Sequence, residues 1–289
     1  MHINMKYYIV TIGAIFIALG IGMLVGFNLN YDQALSKQQA SIIGDLDNKF
    51  EEIKTTNKDL EKKLSKNKNE YNKLVEYVND NYAKLIKDEL QDKHIGIIST
   101  TENYDYTQDV ANTITDASGQ VSFNIILKDG ITNNDKIKEL SSSQNLELKS
   151  SKDVINYLID SLKESNAIEK LQQLEKLDMI KVNSIADNYV DYSQVVIASG
   201  NNNEDSKKFE DIDKNLISKL KSEDKYIVAT QKSDVGFSYI DMYKKSKIPT
   251  INNSEEGLGK LSLVYTLKNS TEQGNFGRGE SADSIIPFK

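Results

Sequence analysis

Twenty-five consecutive residues, Tyr7 to Tyr31, carry no formally charged side chain, and Ile, Val, Leu, Phe, Gly and Ala dominate from Tyr7 to Leu29. About 20 apolar residues in a helix cross the hydrocarbon core of a bilayer, so this run can span one with some tilt. A cleavable signal has a shorter apolar core, about 7–15 residues, followed by a small-x-small site. The residues after Gly26 read FNLNYDQALSKQ and contain no such site. The expectation is an uncleaved transmembrane anchor over residues 1–31, with Tyr7, Tyr8 and Tyr31 at the interfaces, where aromatic side chains concentrate. Lys6 precedes the run and Lys37 and Lys49 follow it. The short leading tail favours a single pass with the N-terminus in the cytoplasm and the rest of the chain outside. Ala14, Ala18, Gly22 and Gly26 recur at every fourth position. They form a ridge for close helix packing in the membrane, or reflect the general abundance of Gly and Ala in membrane helices.

Hydrophobic residues make up only 38% of the 289-residue chain, which is low for one compact globule, so much of it must be solvated helix or loop. Residues 32–92 supply that helix. With Ile43 at position a of a heptad, the a and d positions are Ile43, Leu46, Phe50, Ile53, Asn57, Leu60, Leu64, Asn67, Tyr71, Leu74, Val78, Asn81 and Leu85. All but the three asparagines are apolar or aromatic. A stripe this narrow, sustained over six heptads without proline, reads as a coiled-coil seam, because a helix on a globule needs a wider apolar face. Asn57 at an a position fixes register at some cost in stability. The rod would project its cargo roughly 65–75 Å at about 1.5 Å per residue. A single long helix packed on its own domain is the alternative.

From Lys93 the pattern changes. Short apolar runs at 94–100, 121–127, 195–200 and 226–231 read as strands. Helical segments are expected at 106–116, 153–163, 168–177, 209–220 and 257–267. Near-continuous apolar strands alternating with helices predict a doubly wound α/β domain with a mainly parallel sheet over 93–289. Ligands of such sheets bind beyond the carboxyl ends of the strands, where Ser99, Thr100, Thr101, Ser199, Gly200, Asn201, Thr230 and Gln231 fall. No GxGxxG or Walker lysine motif occurs there. These hydroxyls are expected as turn formers and helix caps.

The residues offer little catalytic chemistry. His94 opens the first strand and His2 sits at the terminus; no Ser/His/Asp set or metal-binding His pair can form from them. Asp105, Asp109, Asp116, Asp187, Asp191 and Asp241 are available carboxylates, expected on a solvated surface. There are no cysteines. The methionines Met1, Met5, Met23, Met179 and Met242 form no Met-rich motif of the kind Cu(I) prefers. No cofactor, metal site or catalytic residue is expected. The net charge of −7 contains no basic segment, so nucleic acid is not an expected partner. The tail TEQGNFGRGESADSIIPFK sets Gly274, Gly277 and Gly279 around Phe276. It predicts either a defined loop returning an apolar strand or plug to the domain, or a terminus without fixed structure.

Three stretches carry a family resemblance. MKYYIVTIGAIFIALGIGMLVG, IPTINNSEEGLGKLSLVYTL (248–267) and GNFGRGESADSIIP are similar to the anchor, late segment and glycine-rich ending of the MctB family (mycobacterial copper transport protein B), which also includes SteB. With the intervening coil, the resemblance covers essentially the whole chain. It implies a single-pass envelope protein with an extracytoplasmic coiled coil and α/β domain. SteB-type members pair with the membrane protein SteA in cell-wall hydrolase control and cell separation. A non-enzymatic scaffold with a SteA-like partner, or a homo-oligomer through coil and anchor, is therefore expected. A copper transport, export or channel component is the alternative that the family name implies.

Overall fold

The computed structural model describes residues 5–200, 207–279 and 281–287. Met1, His2 and Asn201 lie outside the described residues, as does the side chain of Tyr31. The chain divides into two compact units, Met1–Tyr71 and Asn72–Lys289.

Helix α1 (Met5–Leu85) runs for 81 residues. No proline interrupts it, and Gly44 is its only glycine beyond the apolar segment. Within the first unit, Met5–Phe27 is long and apolar enough to cross a membrane, and none of it is buried against protein. The polar part that follows has every described side chain exposed from Leu35 to Glu70.

In the second unit the last turns of α1 lie on an α/β core. Val75 is buried, Val78 and Tyr82 pack against apolar core residues, and Ile86 and Leu90 beyond the helix are fully buried. This face advances by three or four residues per step, as an ordinary helix packed on a globule does. It departs from the heptad expected here: Val78 belongs to both patterns, whereas Leu74 and Leu85 stay exposed. The wider stripe wins because a sheet-covering layer, unlike a single partner helix, presents a broad apolar surface.

The sheet has seven strands in the order β3-β2-β1-β4-β5-β6-β7. They are β1 (His94–Ser99), β2 (Gln120–Leu127), β3 (Ile180–Ile185), β4 (Gln194–Ala198), β5 (Tyr226–Thr230), β6 (Thr250–Ile251) and β7 (Asn275–Phe276). All neighbours pair parallel except β3, which runs antiparallel to β2 at one edge. The central strands alternate between two cores. Ile98, Phe123, Val195, Ile197 and Ile227 face α3 (Asn134–Gln144), α4 (Ser151–Ser161), α5 (Ala167–Lys176) and α6 (Lys214–Ser222). Ile95, Ile97, Val196 and Val228 face α2 (Thr107–Asp116), α8 (Gly257–Asn269) and the end of α1. A short helix, α7 (Ile240–Lys245), connects β5 to β6. Burial on both faces is why the four longest parallel strands read as near-continuous apolar runs.

The expected doubly wound, mainly parallel α/β arrangement is present. All four expected strands and all five expected helices form, with ends shifted by a few residues. The glycine-rich tail takes the ordered alternative: it returns β7 to the sheet edge and buries Phe276.

Candidate functional site

Strand order reverses between β1 and β4: from β1 the chain first builds outward through β2 and later returns to β4 on the other side. In open α/β sheets such a switch point opens a crevice beyond the carboxyl ends of the strands. The residues there were expected as turn formers and caps. Ser99 fits, donating its hydroxyl to the Thr101 carbonyl at 2.9 Å. Ser199 and Thr230 instead join Tyr106 in a buried polar network. Tyr106, on the β1–α2 connection, places its hydroxyl 2.9 and 2.6 Å from the Ser199 and Thr230 carbonyls and accepts the Ser199 N–H at 2.9 Å. Ser199 Oγ also donates to the Thr230 carbonyl at 3.1 Å. Gly200 continues the chain with φ of +130°.

Asp213 is the chemically distinctive member of this end of the sheet. It closes a π-helical turn, Phe209–Asp213, ahead of α6. Thr100 Oγ1 donates to its Oδ1 at 2.8 Å, and the Tyr243 hydroxyl donates to the same oxygen. The other oxygen, Oδ2, has no hydrogen-bond partner among the described residues, and the residue is fully buried. Burial pushes its carboxyl up to about 7, against the lowering effect of the Tyr243 and Thr100 bonds. Tyr243 is driven far above the ordinary phenol value, first by burial and then by the neighbouring Asp213. The sequence did contain a signal: Phe209, Asp213, Leu216, Ile217 and Leu220 share one helical face, so Asp213 stands among apolar neighbours. The carboxylates singled out from sequence, Asp105, Asp109, Asp116, Asp187, Asp191 and Asp241, are all exposed. Asp105 instead orients the start of α2, accepting from the Thr107 N–H at 2.9 Å and hydroxyl at 2.7 Å.

A second polar group lies along the carboxyl ends of β5, β6 and β7, where two of the resemblance-bearing stretches meet. Asn252 N–H donates to the Phe276 carbonyl at 2.7 Å, and Arg278 N–H donates to Asn253 Oδ1 at 2.9 Å. The Arg278 guanidinium bonds both Glu256 carboxylate oxygens at 2.9 Å. Gly277 has φ of +126°, and a Cβ there would stand 2.7 Å from the Asn252 carbonyl oxygen. The glycines of the tail thus let its backbone lie directly on Asn252. Sequence reasoning marked the tail but missed Asn252, Asn253 and Ser254, because nothing local says that the two stretches touch.

His94 sits at the opening of β1 with its Nδ1 3.2 Å from Asn188 Nδ2. Met179 is buried before β3 and Met242 packs on the core from α7. Among the described residues no group of three or more His, Cys, Asp or Glu is placed to hold a metal ion.

On α1, Ala14, Ala18, Gly22 and Gly26 lie in the apolar segment with exposed side chains, and open space surrounds the Cβ positions of Gly22 and Gly26. Of the heptad positions, Ile43, Leu46, Phe50, Ile53, Leu60 and Leu64 are 54–70% exposed. Asn57 is exposed on the same stripe and Tyr71 is half-buried.

A comparison with curated proteins found no match. A family model described as copper transport outer membrane protein, MctB, matches residues 2–287. An apolar N-terminal helix in a family of membrane proteins marks Met5–Phe27 as a membrane anchor. The match takes in that helix, the remainder of α1, the α/β unit and the clasped tail, and the chain belongs to the MctB family.

Proposed function

We propose that the chain is a single-pass, non-enzymatic envelope scaffold, with its N-terminus in the cytoplasm and its long helix paired with another helix outside. The observation that carries this reading is the exposed row Ile43, Leu46, Phe50, Ile53, Leu60 and Leu64. Fully burying one such side chain is worth about 1.5–3 kcal/mol, so a stripe of six strongly favours a partner. Its heptad width suits one helix rather than a sheet. The resemblance to SteB-type members points to a SteA-like membrane protein as that partner and to cell-wall hydrolase control as the outcome. A second copy of this chain, joined through coil and anchor, is the other occupant.

The test is photo-crosslinking in native membranes from positions 53 and 60, with and without Ile53→Asp and Leu60→Asp. Adducts with one membrane protein or with the chain itself, lost in the variants, are expected. Adducts that survive both substitutions would refute a seam-mediated scaffold.

A second reading, a component of copper transport, is favoured by the family's description. Copper would then be cargo. Cells lacking the protein would accumulate copper, and the full chain would restore the wild-type level; unchanged copper content removes this reading.

A further inference from the structure

Beyond the carboxyl ends of β5 and β6 lies a cleft of about 370 Å³, within the range of small-molecule sites. Its walls come from the β5–α7 connection, the β6–α8 connection and the tail. They are tied to one another: Gln231 N–H donates to the Ile251 carbonyl at 2.9 Å, Ser254 N–H to the Gln231 carbonyl at 3.1 Å, and Arg278 N–H to Asn253 at 2.9 Å. Among the described residues, no aliphatic or aromatic side chain lines the cleft. That composition excludes an apolar ligand and sets the cleft apart from the mostly hydrophobic pockets usual for small molecules.

Three lining side chains have unused hydrogen-bonding capacity. Gln231 is held by its Oε1, which accepts the Tyr239 N–H at 3.1 Å. Its Nε2 makes no hydrogen bond among the described residues and remains a donor. Asn252 is 7% exposed, and its buried Oδ1 has no donor among the described residues. Asp241, on α7 at the rim, is exposed and makes no hydrogen bond or ion pair among the described residues. Lys232, the one cation of the lining among the described residues, is already engaged: it stands 3.9 Å from Asp234 and over the Tyr104 ring at 5.2 Å. A free amide donor beside two acceptors, with the cation occupied, suits a neutral ligand whose groups both donate and accept. Adjacent hydroxyls do both.

We propose that this cleft binds a polyhydroxylated ligand, a sugar or short glycan, with hydroxyls bridging Gln231, Asn252 and Asp241. The inference is independent of the scaffold reading, since it uses no residue of the long helix. The tail glycines belong to the same design, because Gly279 lines the cleft and a Cβ there would meet Asn252 Nδ2 at 2.6 Å.

The experiment uses the full chain in a detergent without a sugar headgroup. Glucose, N-acetylglucosamine and their linear oligomers are titrated by saturation-transfer NMR, with inorganic phosphate as the anionic probe. Saturable binding of at least one sugar is expected. Asp241→Ala and Asn252→Ala should each weaken it at least about tenfold, the scale of a lost bond to a charged or buried partner. Asp241→Ala should do so with little change in the thermal midpoint, because Asp241 makes no hydrogen bond or ion pair among the described residues. Absence of saturable sugar binding, wild-type affinity in both variants, or saturable binding of phosphate alone would each overturn the proposal.

Discussion

The side-chain oxygen of Asn79 on α1 accepts the backbone N–H of Gly257 at 2.7 Å, so α8 is capped by a residue 178 positions earlier in the chain. The first N–H groups of a helix have no partner within it. Glu256, at the cap position of α8, supplies no side-chain capping bond of its own. The end of α1 is thereby built into the α/β unit by a specific polar contact as well as by Val75, Val78 and Tyr82. Asn79→Ala should cost about 1 kcal/mol, the usual value of a lost cap. For a unit of this size that lowers the thermal midpoint by about 2–4 °C. Hydrogen exchange at the start of α8 should rise in the same variant, and an unchanged midpoint would show that the contact contributes nothing.

Asp213 should give the domain a characteristic pH dependence. Its folded pKa is raised from 3.8 to about 7, chiefly by burial. Between those values the folded state holds a proton that the unfolded chain has released. The associated stability is therefore complete below about pH 4 and is lost as pH rises through 7. At about 1.36 kcal/mol per unit, the ceiling is roughly 4 kcal/mol. Asp213→Asn keeps the shape and cannot ionise. Its midpoint should exceed that of the wild type at pH 8, and the gap should close by pH 4. A wild type equally stable at pH 5 and pH 8 would contradict the buried, protonated assignment.

The parallel strands were legible because burial on both faces turns them into apolar runs that need no context. β3 was not. Its sequence IKVNSI buries only Ile180 fully, and at the sheet edge its alternate residues stay exposed, unlike the strands buried on both faces. β6 and β7 are two residues each, too short for any periodicity, and exist through pairing at long sequence separation. The candidate site divided the same way. The strand ends were placed correctly by the alternation of strands and helices, but Asp213, Tyr243 and Asn252 acquire their roles only when distant segments meet. The heptad reading of α1 ran through Leu85 because it cannot tell a partner helix from the chain's own sheet.

The tail clasp can be tested by comparing two of its glycines. Ala at position 277 would have to hold φ near +126° and place its Cβ 2.7 Å from the Asn252 carbonyl oxygen, which is backbone and cannot yield cheaply. A strained backbone of this kind costs about 1–3 kcal/mol. At Gly279 the nearest atom is the Asn252 side-chain nitrogen, which can move. Gly277→Ala should therefore lower the thermal midpoint clearly more than Gly279→Ala. The reverse order would mean that the tail is not seated as described.

The last prediction concerns what pairs with the exposed stripe of α1. In a parallel homodimer each g position faces the e position five residues later on the other chain, so Lys49 meets Lys54 and Lys63 meets Lys68. The first pair is partly offset within its own helix, where Lys49 bonds Glu52 at 3.0 Å and Lys54 bonds Glu51 at 3.2 Å. Exposed pairs of this kind are worth at most about 1 kcal/mol. Lys63 and Lys68 have no such ion pair among the described residues, so their mutual repulsion is the larger obstacle. Asn57 and Asn67 weaken the seam further. Beyond Tyr71 the helix gives Val75 and Val78 to its own domain and contributes little to a second copy. The isolated segment 32–92 should therefore self-associate only marginally, and added salt should strengthen it by screening the lysines over roughly 8–10 Å. Lys63→Glu turns the repulsive contact into an attractive one facing Lys68. That variant should form a tighter dimer at low salt and lose stability as salt rises, reversing the wild-type trend. Circular dichroism and sedimentation across salt concentrations read both effects. A wild-type segment that already dimerises tightly at low salt and loosens with salt would place the lysines outside the pairing face.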